Sequence, residues 1–111
     1  MFQGVAANYE RYMSMLSERQ KLVASNIANV DTPGYHTQDI DFRAEFESAA
    51  ADESPSVIEP ENLPLKPDGN NVNLDREARL LAENAMRFQV ATNFARGELS
   101  QIREALQDGK A

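Results

Sequence analysis

An all-α fold, with two long amphipathic terminal helices paired as an antiparallel coiled-coil-like hairpin, is predicted from three features of this chain. Apolar residues recur at alternating spacings of four and three near each end, which is the signature of one buried helix face. No proline interrupts either stretch, and Pro33, Pro55, Pro60, Pro64 and Pro67 all lie between them. The middle is poor in apolar residues, so the join between the helices is a turn, a short helix and an extended Pro-rich connector.

The N-terminal core helix is expected over residues 1–31. Phe2, Tyr9, Leu16, Val23 and Val30 fall seven apart, with Ala6, Met13 and Ile27 at the intervening positions, a heptad stripe. Gln20 is the polar break in that seam. It either fixes register as a buried polar residue or simply reaches solvent. Pro33 disfavours helical geometry at Thr32 and has no N–H to donate, so the helix ends near Asp31. Thr32, Pro33, Gly34 and Tyr35 then read as a type II turn, with proline at its second position and glycine taking positive φ at its third.

Residues 32–73 form the turn, short helix and connector. Asp41 is placed to cap a short helix carrying Phe42 and Phe46. Ala49 to Ala51 continue the apolar hints, and from Asp52 the prolines alternate with acidic residues. Such a stretch cannot hold a regular helix and has too few apolar groups to fold alone, so 51–67 is expected to be extended or mobile. Asp68, Gly69, Asn70 and Asn71 supply a further turn.

The C-terminal core helix is expected over 74–107, followed by a tail at 108–111. Its stripe runs through Leu74, Ala78, Leu81, Ala85, Phe88, Thr92, Ala95, Leu99, Ile102 and Leu106. Charged residues fill the other faces, and only Gly97 weakens the run, by about 1 kcal/mol relative to alanine. Asn73 or Asp75 can accept from the free first-turn N–H groups. The seams most worth following are Leu16, Val23 and Ile27 on the first helix and Leu81, Phe88, Leu99 and Ile102 on the second.

Composition narrows function. With 18 acids against 11 bases and a net charge of −7, the surface repels nucleic acid and anionic lipid. There is no cysteine, hence no disulfide, thiolate nucleophile or zinc–thiolate site. No segment approaches the roughly 20 apolar residues needed to span a bilayer, and the first dozen residues lack the pattern of a cleaved secretory signal. His36, beside Asp39 and Asp41, is the single histidine, too little for a metal triad or a catalytic relay, and reads as an exposed loop residue. The Asp68–Asn71 turn lacks the glycine position and distal glutamate of a calcium loop. Serines 14, 17, 25 and 100 have no histidine or acid at catalytic spacing, and no glycine-rich loop resembles a phosphate cradle. Tyr9, Tyr12, Met13 and Phe88 have the helical spacing of a packed seam and not of a ligand site. The expectation is a protein that is not an enzyme and has no cofactor, no metal and no small-molecule substrate.

Two motifs carry a resemblance. Asn26 to Tyr35, NIANVDTPGY, running into HTQDIDF at His36 to Phe42, resembles the N-terminal motif of flagellar rod and hook axial proteins. Asp68 to Gln89, DGNNVNLDREARLLAENAMRFQ, is similar to the proximal rod members of that family. The connector is outside both motifs and is somewhat shorter than in most such chains. The resemblance implies paired terminal helices in the inner core of a hollow tube, and the near absence of an insert between them fits a subunit of the proximal rod. It implies a structural role, self-association and torque transmission. Its implied partners are other flagellar rod proteins, the rod-to-membrane-ring adaptor and the export gate. It also implies a periplasmic place in the basal body, reached through type III export without a cleaved signal. On this resemblance Asn26, Asn29, Asp31, Thr32, Pro33, Gly34 and Tyr35 form an assembly motif, in which the amides of the two asparagines, three apart on one helix face, bond to neighbouring backbone or to neighbouring subunits. Without the resemblance, the same heptads suit a small acidic helical adaptor or secretion chaperone that binds partner helices.

Overall fold

The computed structural model describes residues 2–47 and 55–109, with the side chains of Phe2 and Gln3 left out. The expectations for Phe2, Ala49 to Ala51, the first four connector residues and the last two tail residues therefore lie outside the described residues. The element order is α1 (Phe2–Ala28), β1 (Asp39–Ile40), α2 (Phe42–Glu47), β2 (Val57–Ile58) and α3 (Leu74–Asp108). α1 and α3 lie antiparallel, with Leu16 beside Asn84 and Tyr12 beside Arg87. The all-α hairpin is thus the fold, and the molecule measures 71 × 26 × 18 Å.

α1 ends at Ala28, three residues before Asp31, because its last turn tightens. Val30 N bonds Ile27 O and Thr32 N bonds Asn29 O, both to the third residue back, which ends an α-helix in a 3₁₀-like turn. The Pro33 turn follows, closed by Tyr35 N to Thr32 O at 3.2 Å, with Gly34 at φ 76°. Asn73 caps α3, its side-chain oxygen accepting from Arg76 N at 3.1 Å. Asp41 caps α2 in the same way through Ala44 N.

The core sits at the closed end of the hairpin. Met15, Leu22 and Ile40 form one buried cluster with Phe42 packed against it, and Leu16, Val23, Val72 and Leu80 are buried beside them. α1 is therefore covered on two sides, by α3 and by the β1–α2 unit. Tyr12 meets the rings of Phe42 and Phe46 edge-on, at 5.4 and 6.1 Å, the geometry that ring quadrupoles favour.

Over its first half, α3 turns to α1 a face one residue away from the anticipated one. Leu81, Phe88 and Leu99 are exposed, Phe88 at 47%, while Glu77, Leu80 and Asn84 are buried. From Glu77 to Ala91 the contact stripe is rotated by about one residue, or 100°, whereas Ala95 and Ile102 of the expected stripe are half-buried. Polar positions on that stripe are partly satisfied: Asn84 Nδ2 donates to Leu16 O and to Gln20 Oε1, both at 3.0 Å. Higher up, Ala91 and Ala95 are half-buried and offer small side chains for close approach. Leu16 and Val23 are buried in the core, and Ile27 and Ile102 are half-buried.

The described part of the connector is extended and docked. β2 pairs antiparallel with β1, Asp39 opposite Ile58 and Ile40 opposite Val57. Two-residue strands are too short to leave a periodic signal in a sequence.

Candidate functional site

The residues of the NIANVDTPGY motif converge with the turn before α3 into a polar clasp that closes the hairpin. Asn26 is wholly buried. Its Nδ2 donates to Gln38 O at 2.8 Å, and its Oδ1 accepts from Gln38 N and from the Tyr35 hydroxyl, each at 3.0 Å. The side-chain amide thus serves as a missing strand for Gln38, satisfying both of its backbone groups. Asn29 donates to Ser25 O and accepts from the Thr32 hydroxyl.

The other half comes from Asn70 and Asn71. Asn70, also wholly buried, donates from Nδ2 to Asn29 O at 2.8 Å and Thr32 O at 2.9 Å, and its Oδ1 accepts from Val72 N at 2.8 Å. Asn71 Oδ1 accepts from Thr37 N at 2.6 Å, while Asn71 N donates to Tyr35 O. Gly34 N reaches Asp68 O at 2.9 Å. Gly69 has φ 85°, and a Cβ there would lie 3.5 Å from Gly34 Cα, so the two turns stack through their glycines.

An ionic network continues the clasp into both helices. Arg19 forks onto Asp39, Nε to Oδ1 and Nη2 to Oδ2, both at 3.1 Å. Arg76 spans Asp39 Oδ2 at 2.7 Å and Glu77 Oε1 at 2.8 Å. Asp39 and Glu77 are buried, and Glu77 Oε2 and Asn84 Oδ1 have no partner among the described residues. Above the network, Arg19 and Arg87 lie over the Phe42 ring at 5.9 and 5.6 Å. The Tyr12 hydroxyl, and after it the Glu83 carboxylate, hold the Arg87 guanidinium above its ordinary range.

Of the two partners expected for the Asn26 amide, neighbouring backbone or neighbouring subunits, the chain supplies the first, at Gln38. Asn29 is half-buried and likewise bonded internally, and Tyr35 is half-buried against Asn26. Asp31, Thr32, Pro33 and Gly34 are exposed. His36 is exposed as anticipated, with Nδ1 2.6 Å from Glu59 Oε1. Sequence reasoning missed Asn70, Asn71, Thr37 and the Arg19–Asp39–Arg76–Glu77 network. The one usable signal was three asparagines in DGNNVNL beside the helix start, too many for a single cap.

Away from the clasp, the arms of the hairpin bury little. Met86, Val90, Phe94, Leu99 and Leu106 are each more than half exposed, Met86 reaching 70%. Open grooves between the helices are lined by Val5, Tyr9, Phe94 and Ile102. A closed end with a core, and arms whose exposed apolar side chains flank the helix–helix contact on both sides, define a helical-hairpin subunit, a protein shaped to be packed among others.

Comparison with known proteins agrees. Residues 13–36 match the family described as flagella basal body rod protein, a span that covers the second half of α1 and the clasp turn. The chain is similar to the flagellar basal body rod protein FlgB of Salmonella typhimurium, 31% identical over 87% of this chain and 88% of that protein. It is likewise similar to FlgB of Borrelia hermsii, 34% identical over 76% and 82%, and of Bacillus subtilis, 25% identical over 99% and 98%. The chain belongs to the flagellar basal body rod protein family, with FlgB as the member it matches. It is a structural component of the bacterial flagellar basal body rod.

Proposed function

We propose that the chain is a proximal rod subunit whose clasped hairpin is laid into a tube wall through the exposed apolar side chains of its arms. The observation that carries the reading is the exposure of Phe88, Val90, Phe94, Leu99 and Leu106 along one 35-residue helix. A compact monomer of this mass has about 6,100 Å² of accessible surface, against 7919 Å² here. The excess of about 1,800 Å² is roughly twice the ~800 Å² that each partner buries in a standard-size interface. Contacts of this kind that do not close on themselves generate a helical array, and axial load is shared among many such seams in parallel.

Leu81, Phe88 and Leu99 act as contacts to neighbouring subunits in this reading, while Leu16, Val23, Ile27 and Ile102 serve the hairpin. Thr32, Pro33 and Gly34, with Asp31, present the exposed rim of the clasp to lateral neighbours. Other flagellar rod proteins, the rod-to-membrane-ring adaptor and the export gate are its partners, and the periplasmic rod, reached by type III export without a cleaved signal, is its place. The role is mechanical, with no catalytic step.

The test replaces Val90 and Phe94 by aspartate. The monomer should keep its fold, because both side chains are exposed, and cells carrying the variant should lose motility and assembled rods. Circular dichroism with light scattering provides a second arm: helicity should rise with concentration as particles form. A stable, fully helical dimer at every concentration would overturn the reading in favour of an adaptor.

A further inference from the structure

Charge is distributed unevenly along the chain. Residues 1–35 hold three acids and three bases, and residues 69–111 hold six of each. The whole net charge of −7 lies in residues 36–68, with nine acids and two bases. Asp39 is neutralised by Arg19 and Arg76, and Asp41 and Asp68 serve as local caps. Asp52 and Glu53 lie outside the described residues. Glu45 is half-buried and accepts from Ser56 N, and Glu47 pairs with Arg43, so what remains outward is Glu59 and Glu61.

Glu59 and Glu61 stand on the wall of a hollow of about 590 Å³, whose apolar surface comes from Pro60, Leu63 and Leu65. Asn71 also lines it. That side chain is 5% exposed and its Oδ1 is held by Thr37 N, yet its Nδ2 donates to no partner among the described residues. β2 leads directly into the wall with Val57 and Ile58 exposed, and no strand lies on its outer edge among the described residues.

We propose that this hollow docks an extended basic segment of a partner protein that is not a second copy of this chain. A lysine or arginine lays its aliphatic stem along Pro60, Leu63 and Leu65 and brings its charge to Glu61 and the free oxygen of Glu59. The other oxygen of Glu59 faces His36. A main-chain carbonyl of the segment accepts from Asn71 Nδ2, and its backbone continues along the open edge of β2. A second copy does not qualify: its residues 1–35 and 69–111 each carry no net charge to attract, and its acidic connector would bring like charges together. The proposal stands independently of the rod reading.

The experiment titrates the ¹⁵N-labelled full chain with a synthetic hexapeptide alternating valine and lysine, and with the same peptide carrying glutamate for lysine. The lysine peptide should shift the amides of residues 57–65 and the side-chain amide of Asn71, while the glutamate peptide should not. E59Q/E61Q, at two exposed positions, should keep the unbound spectrum and weaken binding about fivefold. No shift at millimolar lysine peptide, shifts confined to the helices, equal binding of both peptides, or undiminished affinity in E59Q/E61Q would each overturn the proposal.

Discussion

At the scale of single residues, three groups hold the clasp by unlike means. Asn70 satisfies two carbonyls and one N–H that lie beyond any ladder. Asn70→Ala leaves those groups buried and unpaired, and should lower stability by about 3 kcal/mol, read as a fall in the urea midpoint with an unchanged slope. Asp39→Asn removes the carboxylate shared by Arg19 and Arg76, and a similar loss of about 3 kcal/mol is expected in calorimetry. Gly34→Ala should cost only about 1 kcal/mol, the penalty of positive φ, because nothing lies within 4 Å of the added Cβ. The Pro33–Gly34 turn was legible because both residues restrict φ locally. Asn26 was legible as unusual but its partner was not, since Gln38 is brought to it by chain reversal and hydrogen bonding carries no period.

At the scale of elements, the two long helices were legible from their heptads, and α3 proves to be 35 residues long. Which face pairs over the first half of α3 was not. Leu80 and Leu81 are adjacent and equally apolar, and the choice between them falls to Asn84 and Glu77, polar residues that a hydrophobic stripe leaves out. The consequence is a division of labour along α3 that mutation can expose. Leu16→Ala, at a wholly buried site, should destabilise the isolated chain by about 3 kcal/mol. Phe88→Ala and Leu99→Ala should change it by under about 1 kcal/mol while impairing incorporation into rods, measured as chemical denaturation beside a swimming assay. The β1–β2 pairing stayed invisible for a different reason: it is a product of docking against α1, not of local propensity.

At the scale of the molecule, the shape follows from where the core is. A compact chain of this length has a radius of gyration of about 13 Å, and this one has 18.4 Å. The closed end has a core, an ionic network and the clasp, whereas the arms have one helix on one other. Hydrogen exchange should therefore rank the amides, with the strongest protection around Leu16 to Asn26 and Val72 to Asn84 and little in residues 4–10 or 94–108. Uniform protection along both helices would contradict this division. The fold class needed only periodicity and the position of the prolines. The uneven distribution of stability needed the long-range polar partners, which composition does not reveal.

The clasp has one consequence for the order of events when the chain emerges N-terminus first. Asn29 and Thr32 wait for Asn70, Asp39 waits for Arg76, and Leu16 waits for Asn84, sixty-eight positions later. Contacts that span such separations close late. A chain made only as far as its middle has the Met15, Leu22 and Ile40 cluster but lacks the partners that Leu16, Asn29, Thr32 and Asp39 find in residues 70–84, so the hairpin closes only when α3 arrives.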